Sequence, residues 1–134
     1  MNEAGLIEYA RAVRNHAYAP YSGFKVGAAI LGRSGQVYTG CNVENASYGL
    51  TICAERAAVA RAISDGEGEF VCLALVGSGE GFTYPCGACL QVLAEFAPRL
   101  RIIMVNAAGQ TRKNLLRELL PQVFALNREE FNGG

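Results

Sequence analysis

The sequence is poor in several things that would each have pointed somewhere. It has no excess of either charge: twelve Lys and Arg balance twelve Asp and Glu, and charged residues make up only 18% of the chain. The long-range field that draws proteins to phosphate backbones or anionic lipid is therefore missing, which argues against nucleic acid and membrane surfaces as partners. No apolar run approaches the ~18 residues that a membrane span needs. The opening residues Met1 to Gly5 carry no basic leader segment, so the expected setting is soluble and cytoplasmic. There is one histidine, His16, and a lone His on a helix is more often an ordinary side chain than a general base. With 51% of its residues hydrophobic, the chain can bury a sizeable core, which excludes disorder and collagen-like repeats. A length of 134 residues fits a single domain, residues 1–134, with no internal repeat or linker to divide it.

What the chain does have is cysteine. Cys41, Cys53, Cys72, Cys86 and Cys89 form an odd set without a secretion signal, so thiolate chemistry or metal binding is the stronger reading and a disulfide framework the weaker.

Apolar residues at helical spacing (Leu6, Tyr9, Ala10, Val13, Ala17) predict an amphipathic helix from about Glu3 to Ala17. Lys25 to Leu31 and Gln36 to Thr39, joined by Gly32-Arg33-Ser34-Gly35, read as a hairpin. A polar loop follows from Asn42 to Gly49. Ala54 to Ile63 reads as a helix closed by Ser64-Asp65-Gly66, Phe70 to Val76 as a buried strand, Cys86 to Ala97 as a helix stopped by Pro98, and Arg101 to Asn106 as a strand. A turn at Ala108 to Gln110 and a short segment around Leu115 to Leu120 precede an irregular tail. Strands alternating with helices after an opening hairpin predict an α/β fold with a mixed sheet and helices on its faces.

The chemistry concentrates at two predicted helix starts. Cys86-Gly87-Ala88-Cys89 is a C-x-x-C pair whose two thiols face the same way, where free backbone N–H groups favour thiolates. Cys53 heads another helix, with Glu55 two positions on. If both starts converge, three thiolates leave a tetrahedral Zn²⁺ one ligand short, the arrangement of a catalytic site that keeps a position for water. Glu55 would then be the base for water-activated hydrolysis. Two alternatives stand beside this. A fourth protein ligand, His16 above all, would make the zinc a structural staple, and the C-x-x-C alone would suit a redox dithiol. Arg56, next to Glu55, is either a solvent-facing helix residue or a guanidinium that offsets thiolate charge on the metal. Cys41 and Cys72 sit beside or within strands and read as small hydrophobes. Gly77-Ser78-Gly79-Glu80-Gly81 follows a strand, yet its third Gly falls too early for a dinucleotide loop.

Taken together, Cys53-Ala54-Glu55-Arg56 and Pro85-Cys86-Gly87-Ala88-Cys89 resemble the two zinc motifs of the cytidine deaminase superfamily. Tyr21 to Ala29, Gly40 to Ala46 and Glu118 to Pro121 resemble its substrate-side and C-terminal motifs, so the likeness spans about Ala17 to Phe124, closest to the small homotetrameric deaminases of free nucleosides. One departure is visible: Leu90 stands where the family commonly has Arg, followed by the expected Gln91.

The resemblance implies a three-layer α-β-α sandwich around a mixed five-stranded sheet. It implies Zn²⁺ held by Cys53, Cys86 and Cys89, with Glu55 shuttling protons as cytidine or 2′-deoxycytidine becomes uridine or 2′-deoxyuridine. It implies that Asn42 and Glu44 hold the ribose, that Phe24 packs on the nucleoside, and that the Ala54 backbone reads the base edge. Tyr48 and Phe124 match positions that reach a neighbouring subunit's active site. A blasticidin S deaminase would share the zinc motifs, but Asn42-Val43-Glu44-Asn45 favours a ribose. A nucleic-acid editing deaminase would more often use His as first ligand and show a basic surface.

Overall fold

The computed structural model describes residues 1–126. The chain runs α1 (Glu3–Arg14), β1 (Val26–Gly32), β2 (Val37–Cys41), a single 3-10 turn (Tyr48–Leu50), α2 (Ala54–Ser64), β3 (Phe70–Gly77), α3 (Gly87–Phe96), β4 (Arg101–Val105), β5 (Thr111–Leu115) and α4 (Leu116–Leu119). The five strands form one mixed sheet in the order β2-β1-β3-β4-β5. All pairings are antiparallel except β3 with β4.

Strand periodicity sorts the core into two layers, because successive side chains leave opposite faces of the sheet. Ala28, Ile30, Leu73, Leu75, Ile102 and Met104 pack with Ala58 and Ala62 of α2, Leu90 and Leu93 of α3, and Leu116 of α4. Their neighbours Ala29, Cys72, Ala74, Val76, Ile103 and Val105 face the other way, against Leu6 and Ala10 of α1. The result is the expected α-β-α sandwich with a five-stranded mixed sheet. Cys72 is buried there as a small hydrophobe, its thiol pushed up first by burial.

Two elements differ from the sequence reading. α1 ends at Arg14 rather than Ala17, because Asn15 and His16 donate their N–H groups to Ala12 and Val13, three residues back, in a tightened last turn. β5 was not legible as a strand: Thr111-Arg112-Lys113 is polar and exposed, which is how an edge strand shields itself and also hides its period-two signal. Residues 121–126 follow α4 without regular structure; the rest of the tail lies outside the described residues.

The topology decides where a site can form. β2 and β3 both run antiparallel to β1, hence in the same direction, and each is followed by a helix. The starts of α2 and α3 therefore open at the same end of the sheet, beyond the strands' carboxyl ends, where open α/β sheets place their ligand sites.

Candidate active site

Cys53 and Cys86 are the N-cap residues of α2 and α3, both extended and neither using its side chain as a hydrogen-bonding cap. Their sulfurs are free to lie at the positive ends of the two helices. Cys89 follows three positions after Cys86 on the same face, and the Sγ atoms of Cys86 and Cys89 lie 3.4 Å apart. The sulfurs of Cys53, Cys86 and Cys89 all fall within 4.8 Å of one another. Three sulfurs at Zn–S distances of ~2.3 Å in a tetrahedron would be about 3.8 Å apart, so the spacing brackets what zinc requires. His16 is exposed at the end of α1 and is not part of this group, so the residue singled out as a fourth, structural ligand does not join the three sulfurs.

Electrostatics concentrate on Cys53. Its thiol is lowered to about 5, first by a hydrogen bond from Cys89 and then, against the opposing effect of burial, by Arg56. The same bond to Cys53, followed by burial, pushes the Cys89 thiol upward. Arg56 Nη2 donates to Cys53 Sγ at 3.6 Å and to the Thr51 carbonyl at 3.5 Å. Its Nε has no hydrogen-bond partner among the described residues. Both hydrogen bonds are long, so charge attraction toward the thiolate is what orients Arg56, and the solvent-facing reading of this residue is set aside. Glu55, in the first turn of α2, is only 5% exposed. Burial pushes its carboxyl up to about 7, with the Cys53 thiolate adding to the effect.

A cleft of about 170 Å³ lies over these groups, lined by Val26, Asn42, Thr51, Cys53, Ala54, Glu55, Thr83, Tyr84 and Cys86. Sequence reasoning did not single out Thr51, Thr83 or Tyr84. Tyr84 stands directly before Pro85-Cys86, so nearness to the metal motif was the one signal available.

The polar loop after β2 is drawn toward the site by two isolated bridges, Tyr18 with Val43 and Val43 with Ile52. Asn42 Oδ1 accepts from the Val26 N–H at 2.8 Å, and its Nδ2 donates to the Phe24 carbonyl at 2.9 Å. Glu44 Oε1 accepts from the N–H groups of Tyr21 and Ser22 at 3.0 and 3.1 Å, while Oε2 accepts from the Ser22 hydroxyl. Asn42 keeps one donor and one lone pair, and Glu44 keeps acceptor capacity for a ligand. The Ser22 hydroxyl bond lowers the Glu44 carboxyl first, against the upward pull of burial.

Phe24 lies over Gly77 and Gly79. A Cβ on Gly79 would come within 2.9 Å of its ring, so these glycines serve close packing and not a phosphate. Ala54 is buried at the first position of α2, where a backbone N–H has no intrahelical acceptor. Tyr48 and Phe124 are 61% and 71% exposed and stand outside the cleft of their own chain. Gln91 Nε2 donates to the Phe124 carbonyl at 2.7 Å, which ties the tail to α3. Leu90 is buried in the core between α2, α3 and the sheet.

Comparison with known proteins agrees with this geometry. The family model described as the cytidine and deoxycytidylate deaminase zinc-binding region matches residues 2–105. A cytidine deaminase from Sporosarcina psychrophila is 44% identical over 126 residues, 93% of either chain. Among solved structures, the cytidine deaminase of Burkholderia pseudomallei aligns with a TM-score of 0.89 at 50% identity, covering 92% of this chain and 100% of that one. The cytidine deaminase of Mycobacterium tuberculosis aligns with a TM-score of 0.83 at 43% identity, covering 94% and 99%. With three cysteine sulfurs grouped at paired helix starts and a family match over most of its length, the chain belongs to the zinc-binding cytidine and deoxycytidylate deaminase family.

Proposed function

We propose that the chain hydrolytically deaminates free cytidine and 2′-deoxycytidine to uridine and 2′-deoxyuridine with release of ammonia, as a cytoplasmic enzyme of pyrimidine salvage. It would act as one deaminase domain over residues 1–134, assembled as a homotetramer. The observation that carries this reading is a buried carboxyl, Glu55, beside three sulfurs within 4.8 Å of one another.

Cys53, Cys86 and Cys89 would hold the zinc, which when bound supplies the Lewis acidity that lets water give up a proton near neutral pH. Glu55 takes that proton and delivers it to N3 of the pyrimidine as the water oxygen bonds to C4. It then takes the remaining hydroxyl proton and passes it to the amino group, so that the C4–N bond breaks and ammonia leaves. Burial raises the Glu55 carboxyl above the ordinary carboxylate range, the direction that suits a group which must both take and return a proton. Arg56 donates to Cys53 Sγ, withdrawing charge from a ligand set that would otherwise over-neutralise the metal.

Substrate selection falls to groups around the cleft. Asn42 and Glu44 offer the mixed donor and acceptor capacity that a ribose hydroxyl needs. The Ala54 backbone faces the base edge and Phe24 packs on the nucleoside. Tyr48 and Phe124 complete the site of a neighbouring subunit. A balanced net charge fits a free nucleoside better than a nucleic acid.

The test is the loss of absorbance as cytidine becomes uridine, with 2′-deoxycytidine, adenosine and blasticidin S assayed in parallel. Zinc-replete protein is expected to turn over the first two. Turnover of blasticidin S alone, or of none, would overturn the proposal.

A further inference from the structure

Arg112 lies on β5, the exposed edge strand, opposite Met104 of β4. Its position in the register puts it on the same sheet face as α2 and α3, since Met104 packs in that layer of the core. The Arg112 guanidinium carbon lies 4.8 Å from the centre of the Phe82 ring, within the range of a cation–π contact. Its Nη1 donates to the Tyr84 hydroxyl. Both partners belong to the loop that joins β3 to α3 and ends in Pro85-Cys86. Phe82 is packed against the core, so its ring is clamped between apolar side chains and the guanidinium.

Between these two aromatics sits Thr83. A Cβ on Gly77 would come into hard overlap with its hydroxyl oxygen, so Thr83 is pressed onto the end of β3. Thr83 and Tyr84 line the cleft beside Cys86. One arginine on a strand that contributes nothing itself to the cleft thus grips the segment on both sides of a cleft-lining residue.

We propose that Arg112 is a positioning residue for substrate binding: it fixes the Phe82–Tyr84 wall of the cleft through a stacked and hydrogen-bonded clamp. The inference rests on the deaminase reading and adds to it a residue on the polar edge strand, far from the zinc motifs in sequence. Arg112 touches neither the cysteines nor Glu55, so its loss should act on binding and not on the proton transfers. Arginine suits the task because one planar group stacks on a ring and donates from its edge at the same time.

The experiment compares the parent protein with Arg112→Ala, Arg112→Lys, Tyr84→Phe and the Arg112→Ala/Tyr84→Phe double variant, each with zinc per chain measured. Loss of an exposed cation–π contact and a charge-assisted hydrogen bond predicts a KM for cytidine raised about three- to tenfold in Arg112→Ala, with kcat within about twofold. Arg112→Lys, which keeps a cation over Phe82, should fall between Arg112→Ala and the parent. The effect of Tyr84→Phe should shrink in the Arg112→Ala background, the sign of a shared interaction. Hydrogen exchange should rise in the segment 78–86 of Arg112→Ala and stay unchanged in α2. An unmoved KM, additive effects of the two substitutions, or exchange that rises throughout the chain would each overturn the inference. A parent protein with no turnover of cytidine would instead overturn the deaminase reading, and the exchange measurement would still decide whether the clamp exists.

Discussion

Two carboxyls near the cleft are tuned in opposite directions, and the environment of each explains why. Glu55 is pushed up by burial beside a thiolate, whereas Glu44 is lowered chiefly by the Ser22 hydroxyl. Replacing Glu55 by Gln keeps shape and burial while removing the proton carrier. Glu55→Gln is expected to retain zinc and a thermal midpoint at or above the parent's, because a buried carboxylate is costly to keep. It should lose at least the ~10²–10⁴-fold in kcat typical of general acid–base catalysis. Zinc content, melting and turnover on the same preparation check this, and near-normal turnover would assign the proton transfers elsewhere. For Glu44 the folded pKa lies below the unfolded one, so its stabilising effect is present above the ordinary glutamate range and is lost as pH falls through the folded value. The urea midpoint of the parent should exceed that of Glu44→Gln at pH 7, and the gap should narrow on acidification below about pH 4.3. A gap that is constant with pH would show that the Ser22 and Tyr21 contacts do not depend on the charge.

At the scale of elements, the same residues that made the fold legible also explain what stayed hidden. α2 and α3 could be read because Cys53 and Cys86 precede runs of good helix formers ended by Gly66 and Pro98. β1, β3 and β4 could be read because they are short apolar runs between turn residues. Convergence of the two helix starts was only conditional from sequence, since it depends on β2 and β3 running the same way, a property of pairing and not of local pattern. Thr83, Tyr84 and Arg112 stayed out of sight because loop and edge-strand residues carry no periodicity. Gly40 shows how tightly one element seats the next. A Cβ there would lie 2.4 Å from the Ala58 nitrogen and 2.6 Å from the Ala54 carbonyl oxygen, both backbone atoms of α2 that cannot swing aside. Gly40→Ala should therefore lift α2 from β2, costing about 1–3 kcal/mol in urea unfolding and lowering zinc per chain. Gly49→Ala, where a Cβ meets nothing within 4 Å, is the matched control and should stay within about 0.5 kcal/mol. Equal behaviour of the two variants would mean that the close approach does not hold the helix start in place.

For the whole molecule, the cleft on one chain takes in only part of the groups proposed to meet the substrate. Its volume of about 170 Å³ lies below the ~300–1,000 Å³ usual for pockets that enclose a small ligand, and Phe24, Glu44, Tyr48 and Phe124 lie outside its lining. Large apolar side chains are meanwhile left in solvent on two segments: Tyr48, Leu50 and Ile52 lead into Cys53, and Val123, Phe124 and Leu126 follow Pro121. Two short runs of exposed apolar side chains are candidates for covering by another subunit. A homotetramer of dihedral symmetry would satisfy both facts if Phe124 of one subunit stacks on the base bound in another and Tyr48 closes the site across a second interface. Gln91 holds the Phe124 backbone by its carbonyl while the ring remains exposed, an arrangement that presents the ring outward. Phe124→Ala is then expected to leave zinc per chain unchanged and to raise KM for cytidine by about tenfold or more, as loss of a buried aromatic contact does. Light scattering should give four chains per particle for the parent. In mixtures of Phe124→Ala with a Glu55→Gln partner, each chain lacks what the other supplies, so mixed tetramers should recover activity that neither variant shows alone at low substrate. Full activity from a monomeric parent, or mixtures that never exceed the sum of their parts, would defeat the shared-site assembly.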